Sequence, residues 1–213
     1  MGLWERTRAW AGQSETVRRW RYRRYELFVE LCSVRPDERI LDVGAGAGAA
    51  LERFNNTNPI VAVDLAPEAK AAWLDRPNVA VEVADGTALP FADGEFPVVF
   101  SNSVIEHVPK ELQPRFAAEI RRVGRRYFVQ TPNRYFPIEP HYQLPFFQFL
   151  PRSGQRWLNR HFTLGWHEKG QWEEIELLSA RDLRALFPDA VIHRERMFGL
   201  TKSLMAIRGS AGS

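Results

Sequence analysis

A chain of 213 residues, 45% hydrophobic and 26% charged, has the size at which one globular domain buries a full core without disulfides or structural metals. Its single cysteine, Cys32, excludes an internal disulfide, and a net charge of +3 with a pI of about 9.2 is too mild to imply nucleic acid unless the basic residues share a face. No apolar run approaches the roughly 20 residues of a membrane-spanning helix, and no signal-peptide core stands near the start, so a cytoplasmic protein without stable membrane insertion is expected.

Residues 1–34 read as a helical N-terminal arm. Arg6, Arg8, Arg18, Arg19, Arg21, Arg23 and Arg24 interleave there with Trp4, Trp10, Trp20, Tyr22 and Tyr25. Such amphipathic helices can lay their aromatics over a core as a lid, or offer their arginines to anionic lipid, phosphate or a polyanion. Residues 35–131 alternate short apolar runs (RILDV, PIVAVD, VAVEVAD, PVVFSN, RRYFVQ) with helical patterns near 48–54, 67–75 and 110–122. Strands rich in Val and Ile without polar alternation are what a parallel sheet covered on both faces requires. From Pro132 to about 175 the pattern breaks into five prolines among many aromatics, too proline-rich for a long helix and suited to a substrate cap. Over 176–208, SARDLRALF reads as a helix, and AVIHRERMF and SLMAIR as antiparallel strands at a sheet edge; GSAGS reads as a frayed tail. The sum is one α/β domain, 1–213, with a doubly wound, mostly parallel, seven-stranded sheet.

In RILDVGAGAG, Gly44, Gly46 and Gly48 let the backbone turn sharply after the first strand and approach a ligand closely. The spacing is GxGxG and not the dinucleotide GxGxxG. Asp64 ends the second run, where a carboxylate can accept both hydroxyls of a ribose. Asp85 follows the third run, where it can meet an exocyclic amine, and Ser101 and Asn102 close the fourth. Acidic and polar groups thus fall at the carboxyl ends of successive strands, where this architecture places its sites.

The stretches ILDVGAGAG, VAVDLAP, ADGTALPFADGEFPVVFSNSVIEHV and FVQTPN together resemble the class I S-adenosylmethionine-dependent methyltransferases, with a Rossmann-like fold, over about residues 35–208. The resemblance implies S-adenosyl-L-methionine as cofactor. Its methionine part would lie on Gly44, Ala45, Gly46 and Gly48, with Asp42 supporting the amino group and Ser101 alongside. Asp64, with Leu65, would take the ribose, and Asp85 and Gly86 the adenine. One departure is Pro97, where the family commonly has Asp; lacking a ladder N–H, it must open its strand or lie where no partner is needed.

Methyl transfer to a hydroxyl needs a base. His141 is the first candidate and His107 the second, with Glu139 placed to orient His141 across Pro140. IEHVP also resembles the segment of quinone O-methyltransferases that binds a divalent ion. Glu106 and His107 match its acid-histidine pair, and Ser103 stands where a further acid would be. A site of Glu106, His107, Glu139 and His141 could hold a divalent metal such as magnesium, manganese or zinc.

The cap also resembles bacterial methyltransferases of polysaccharide and glycolipid metabolism, including the mycobacterial sugar O-methyltransferases of methylmannose polysaccharide synthesis. That implies a small-molecule or oligosaccharide acceptor, a methylated mannoside among them, with Asn133, Arg134 and Tyr142 bonding to hydroxyls and aromatic faces stacking on rings. A quinone, phenol or lipid would suit the same aromatics. A cofactor-binding or polyanion-binding module without catalysis, and a homodimer, also remain open; nucleic acid is disfavoured, since no basic stripe follows residue 25 and no Asn-Pro-Pro-Tyr motif occurs.

Overall fold

A computed structural model describes residues 15–46, 57–65, 78–162, 164 and 169–209, with side chains from residue 23 onward. Helix α1 (Glu15–Leu31) precedes strands β1 (Ile40–Val43), β2 (Ile60–Asp64), β3 (Val79–Val83) and β4 (Phe96–Asn102). Helix α2 (Gln113–Val123) leads directly into β5 (Gly124–Pro132), followed by α3 (Arg152–His161), α4 (Ala180–Leu186), β6 (Val191–Met197) and β7 (Leu200–Arg208).

The seven strands form one sheet in the order β3-β2-β1-β4-β5-β7-β6, in which only β7 runs against its neighbours. The chain reverses its direction of build between β1 and β4, so the crevice of this doubly wound sheet opens beyond their carboxyl ends. The unbroken apolar runs explain the strands: both sides of β1, β2, β4 and β5 are covered, while β3 and β6 at the two edges are half-exposed. Ile40, Ala62, Val98, Phe100 and Phe128 pack with Tyr25, Phe28 and Cys32 of the α1 segment, while Leu41, Val99 and Tyr127 pack with Phe116 and Ile120 of α2 and Leu183 of α4. Each such fully buried large side chain contributes about 1.5–3 kcal/mol of hydrophobic transfer.

Pro97 is the second residue of β4, one step before the ladder to β1 begins with Ile40 opposite Val98, so its missing N–H leaves no gap in that ladder. The α4 start is fixed by a capping box in which Ser179 and Asp182 satisfy each other's backbone N–H groups.

The cap differs from the sequence expectation in one respect. It contains α3, ten residues long, because Pro151 stands at its N-cap, where a missing N–H costs nothing, and RSGQRWLNRH then runs free of proline. A small separate core of Tyr142, Phe147 and Leu164 anchors the cap. The helical spans expected at 48–54 and 67–75, the first 14 residues with Trp4, Trp10, Arg6 and Arg8, and the GSAGS tail beyond Gly209 lie outside the described residues; of Arg18, Arg19 and Arg21 only the helical backbone is described.

Candidate functional site

At the carboxyl ends of β1, β2, β3 and β4 lies a cleft of about 380 Å³ lined by Gly44, Asp64, Leu65, Asp85, Gly86, Ser103, Val104 and His107, among others. Gly44 enters it with φ +80°, and a Cβ there would stand 2.2 Å from Val104 Cγ2, so only glycine fits both the turn and the neighbour. Its N–H and that of Ala45 donate to Val63 O at 2.8 and 3.1 Å, which ties the turn to β2. Gly46 N–H donates to Asp64 Oδ2 at 2.8 Å, so the second-strand acid already faces the glycine turn. A Cβ on Gly86 would meet the Phe116 ring at 2.8 Å, so the cleft floor also depends on bare backbone. Asp85 accepts from Thr87 N–H at 2.8 Å, an Asx turn that holds its carboxylate at the rim.

Asp42 is buried beneath this turn, and its Oδ2 has no partner among the described residues. Burial, with the negative charge of Asp64 second, pushes its pKa up to about 8. A buried acid with an unmet oxygen under a ligand cleft is suited to a positive group brought by the ligand. Gly48 lies outside the described residues. Ser101 departs from the expectation: it is fully buried and its hydroxyl donates to Val43 O at 3.0 Å, bracing β1 against β4, while Ser103 is the serine in the cleft wall.

The expected base candidates meet at one end of the cleft. His107 ends a short 3-10 turn after β4 and lines the wall, and the His141 ring from the cap stands edge-on to it with centroids 4.9 Å apart. His107 Nδ1 lies 2.6 Å from Glu173 Oε1, and His141 Nδ1 lies 2.7 Å from Glu139 Oε1. A carboxylate only accepts, so each Nδ1 carries the proton and each Nε2 is left as the basic or ligating atom. Glu139 is itself fixed by the Tyr142 N–H at 2.5 Å. Glu106 is fully buried; Thr131 donates to its Oε2 at 2.9 Å, and its Oε1 is unpartnered among the described residues. Burial raises the Glu106 pKa despite the opposing charges of His141 and His107. For His107, burial works against the charged ring, but the Glu173 hydrogen bond and the charges of Glu106, Glu173 and Glu139 outweigh it and raise the pKa.

Ligand atoms of Glu106, His107 and His141 lie within 4.8 Å of one another, a spacing at which one ion could touch all three. Glu139, expected as a fourth ligand, instead holds His141 from behind, and Glu173, which the sequence reading missed, does the same for His107.

The expected acceptor residues do not gather here. Tyr142 is buried between Phe147 and Trp172 and its hydroxyl donates to Glu173 O at 2.7 Å. Asn133 Nδ2 donates to Thr201 O at 2.8 Å, stitching the end of β5 to β7. Both polar groups are satisfied by backbone, which corrects the expectation that they bond to acceptor hydroxyls. Arg134 is exposed and, with Tyr142, lines a second cavity of about 380 Å³ within the cap, beside the start of α3.

Residues 41–127 match the family described as a methyltransferase domain. Malonyl-[acyl-carrier protein] O-methyltransferase of Halorhodospira halophila is 39% identical over 95 residues, covering 40% of this chain and 30% of that protein. Demethylmenaquinone methyltransferase of Renibacterium salmoninarum is 37% identical over 112 residues, covering 51% of this chain and 44% of that one. The chain thus spans less than half the length of either curated relative. A solved structure of a SAM-dependent methyltransferase from Methanosarcina mazei superposes with a TM-score of 0.55 at 15% identity, covering 82% of this chain and 92% of its own. The fold is the Rossmann-like fold of class I methyltransferases, and residues 41–127 carry the methyltransferase-domain match. Among the described residues no helix is long and apolar enough to cross a membrane.

Proposed function

We propose that the chain is an S-adenosylmethionine-dependent O-methyltransferase acting on a hydroxyl of a small glycan or sugar, a methylated mannoside among the candidates. The observation that carries this reading is the pair of carboxylate-backed imidazoles, His107 and His141, set against the wall of a cleft floored by glycine.

The residues present fit the cofactor. The unmet Oδ2 of Asp42 suits its ammonium, the bare backbone at Gly44 and Gly86 leaves room that a Cβ would fill, and Asp64 and Asp85 stand at the ends of β2 and β3 for the ribose and the adenine. The cofactor supplies a methyl group on a positively charged sulfur, already bonded to its leaving group. The protein's work is to align the acceptor oxygen, exclude water and remove one proton. The acceptor O–H would give that proton to His141 Nε2, while the bound cofactor would supply the methyl carbon to the acceptor oxygen and keep the released electron pair on its sulfur. Glu139 holds the His141 tautomer and stabilises the imidazolium that results.

The grouping of Glu106, His107 and His141 favours one variation, in which these three donors would hold a divalent ion that would supply Lewis-acid polarisation of the acceptor hydroxyl. Two imidazoles beside one carboxylate suit zinc or manganese better than magnesium. A methyl-release assay over partially methylated mannosides, other sugars and quinols tests the acceptor class: turnover on a sugar supports the proposal, and turnover confined to quinols or phenols overturns it. A chelator that leaves turnover unchanged removes the metal.

A further inference from the structure

Large apolar side chains left in solvent are unevenly distributed. Because β6 runs parallel to β1–β5, the turn between β6 and β7 lies at the same end of the sheet as the cleft, and it carries Phe198, 93% exposed, with Leu200 exposed beside it. Tyr135, just past β5, is exposed at this end too and stacks on exposed Phe149 with centroids 6.4 Å apart. Ile138, Phe146 and Leu150 continue the apolar surface of the cap. The opposite end of the sheet holds only Val191 among the exposed large apolar residues described.

Helix α3 extends that surface. Gln155 fastens its first turn by donating to Phe147 O at 3.1 Å and Leu150 O at 2.9 Å. Its outer face presents Arg156, Trp157, Arg160 and His161, with Trp157 56% exposed and Phe162 following at the helix end. Glu173, Glu174 and Glu176 balance part of the cap's positive charge, and Arg152 pairs with Glu174 and Glu176, so the positive charge that faces outward on this helix is that of Arg156 and Arg160. Exposed aromatics at the end of a helix that keeps Arg156 and Arg160 outward form the pattern of an interfacial anchor, apolar enough to enter a headgroup layer and positive enough to seek an anionic one.

We propose that the cap, through the α3 face and the Tyr135–Leu150 surface, docks this protein peripherally on an anionic lipid bilayer, with the cleft end of the sheet facing the membrane. The proposal goes beyond methyl transfer and does not depend on it. The neighbouring basic charge favours a lipid surface over a second copy of the chain, which would set the same arginines against each other.

The test is co-sedimentation of the full chain with vesicles of phosphatidylcholine alone and of phosphatidylcholine with phosphatidylglycerol in equal parts. Binding to the second and not the first, weakened by added salt, is expected. Arg156→Ala and Arg160→Ala should each weaken partition about fivefold, and Trp157→Ala about tenfold; Val191→Ser, at the far end of the sheet, should leave it unchanged. These positions are on the surface, and an unchanged melting temperature for each variant shows that the fold is intact. No binding to phosphatidylglycerol vesicles, an equal loss in Val191→Ser, or a concentration-dependent dimer that Trp157→Ala dissolves would each overturn the proposal.

Discussion

The cleft and the cap are made of different materials. The cleft is built largely from backbone: glycines at turns, N–H groups at strand ends, and acids placed one per strand along parallel neighbours. The histidine cluster is built from side chains that meet from positions 106, 107, 139, 141 and 173, each held by another. A site of backbone fails when a Cβ is added or a ligand-facing charge is removed. A site of coupled side chains fails by losing a proton acceptor or its orienting partner. The two should therefore separate cleanly in binding and in turnover.

The largest separation is expected at His141. His141→Ala should lower methyl transfer by about 10²–10⁴-fold while leaving cofactor affinity near that of the unaltered chain, read by single-turnover assay and calorimetry. Equal loss of binding and turnover would erase the distinction. Asp64→Ala should do the reverse, weakening cofactor affinity about ten- to hundredfold with turnover at saturation nearly preserved, because it removes a charged acceptor and not the base.

A pH dependence sharpens the comparison. The pKa of Asp42 is raised on folding, so the unliganded folded state binds more protons than the unfolded one, and stability falls as pH rises through the interval up to about 8, then levels. A cationic ligand group that needs the ionised Asp42 should bind more tightly as pH approaches about 8, by at most about tenfold per unit. Asp42→Asn should flatten both trends in calorimetric titrations. The smallest effect belongs to Glu173→Gln. It weakens the bond that raises the His107 pKa, so the titration of the His107 ring, followed by NMR, should move a fraction of a unit to lower pH, while an uninvolved Glu173 would leave it in place.

The contrast in materials also decided what the sequence could reveal. Strands β1–β5 are legible because a covered sheet demands unbroken Val, Ile and Phe, and Asp64 and Asp85 follow from their place at the strand ends, whereas Gly86 comes only with the methyltransferase resemblance. Glu173 is not legible: it lies 66 residues from His107, and only the acidic run near 173–176 signals a carboxylate in the cap. Tyr142 and Asn133 show the opposite difficulty, since a hydroxyl or amide suited to a sugar is equally suited to a carbonyl, and here both take carbonyls. Helix α3 was hidden because prolines around it argue against a long helix, while one at the N-cap starts a short one.

The most direct test of the central claim is calorimetric titration of the chain and of its Asp64→Ala variant with S-adenosylmethionine. Saturable one-to-one binding that weakens about ten- to hundredfold in the variant is the predicted result. No binding, or an affinity indifferent to Asp64, would contradict the assignment of the glycine-floored cleft to the methyl donor.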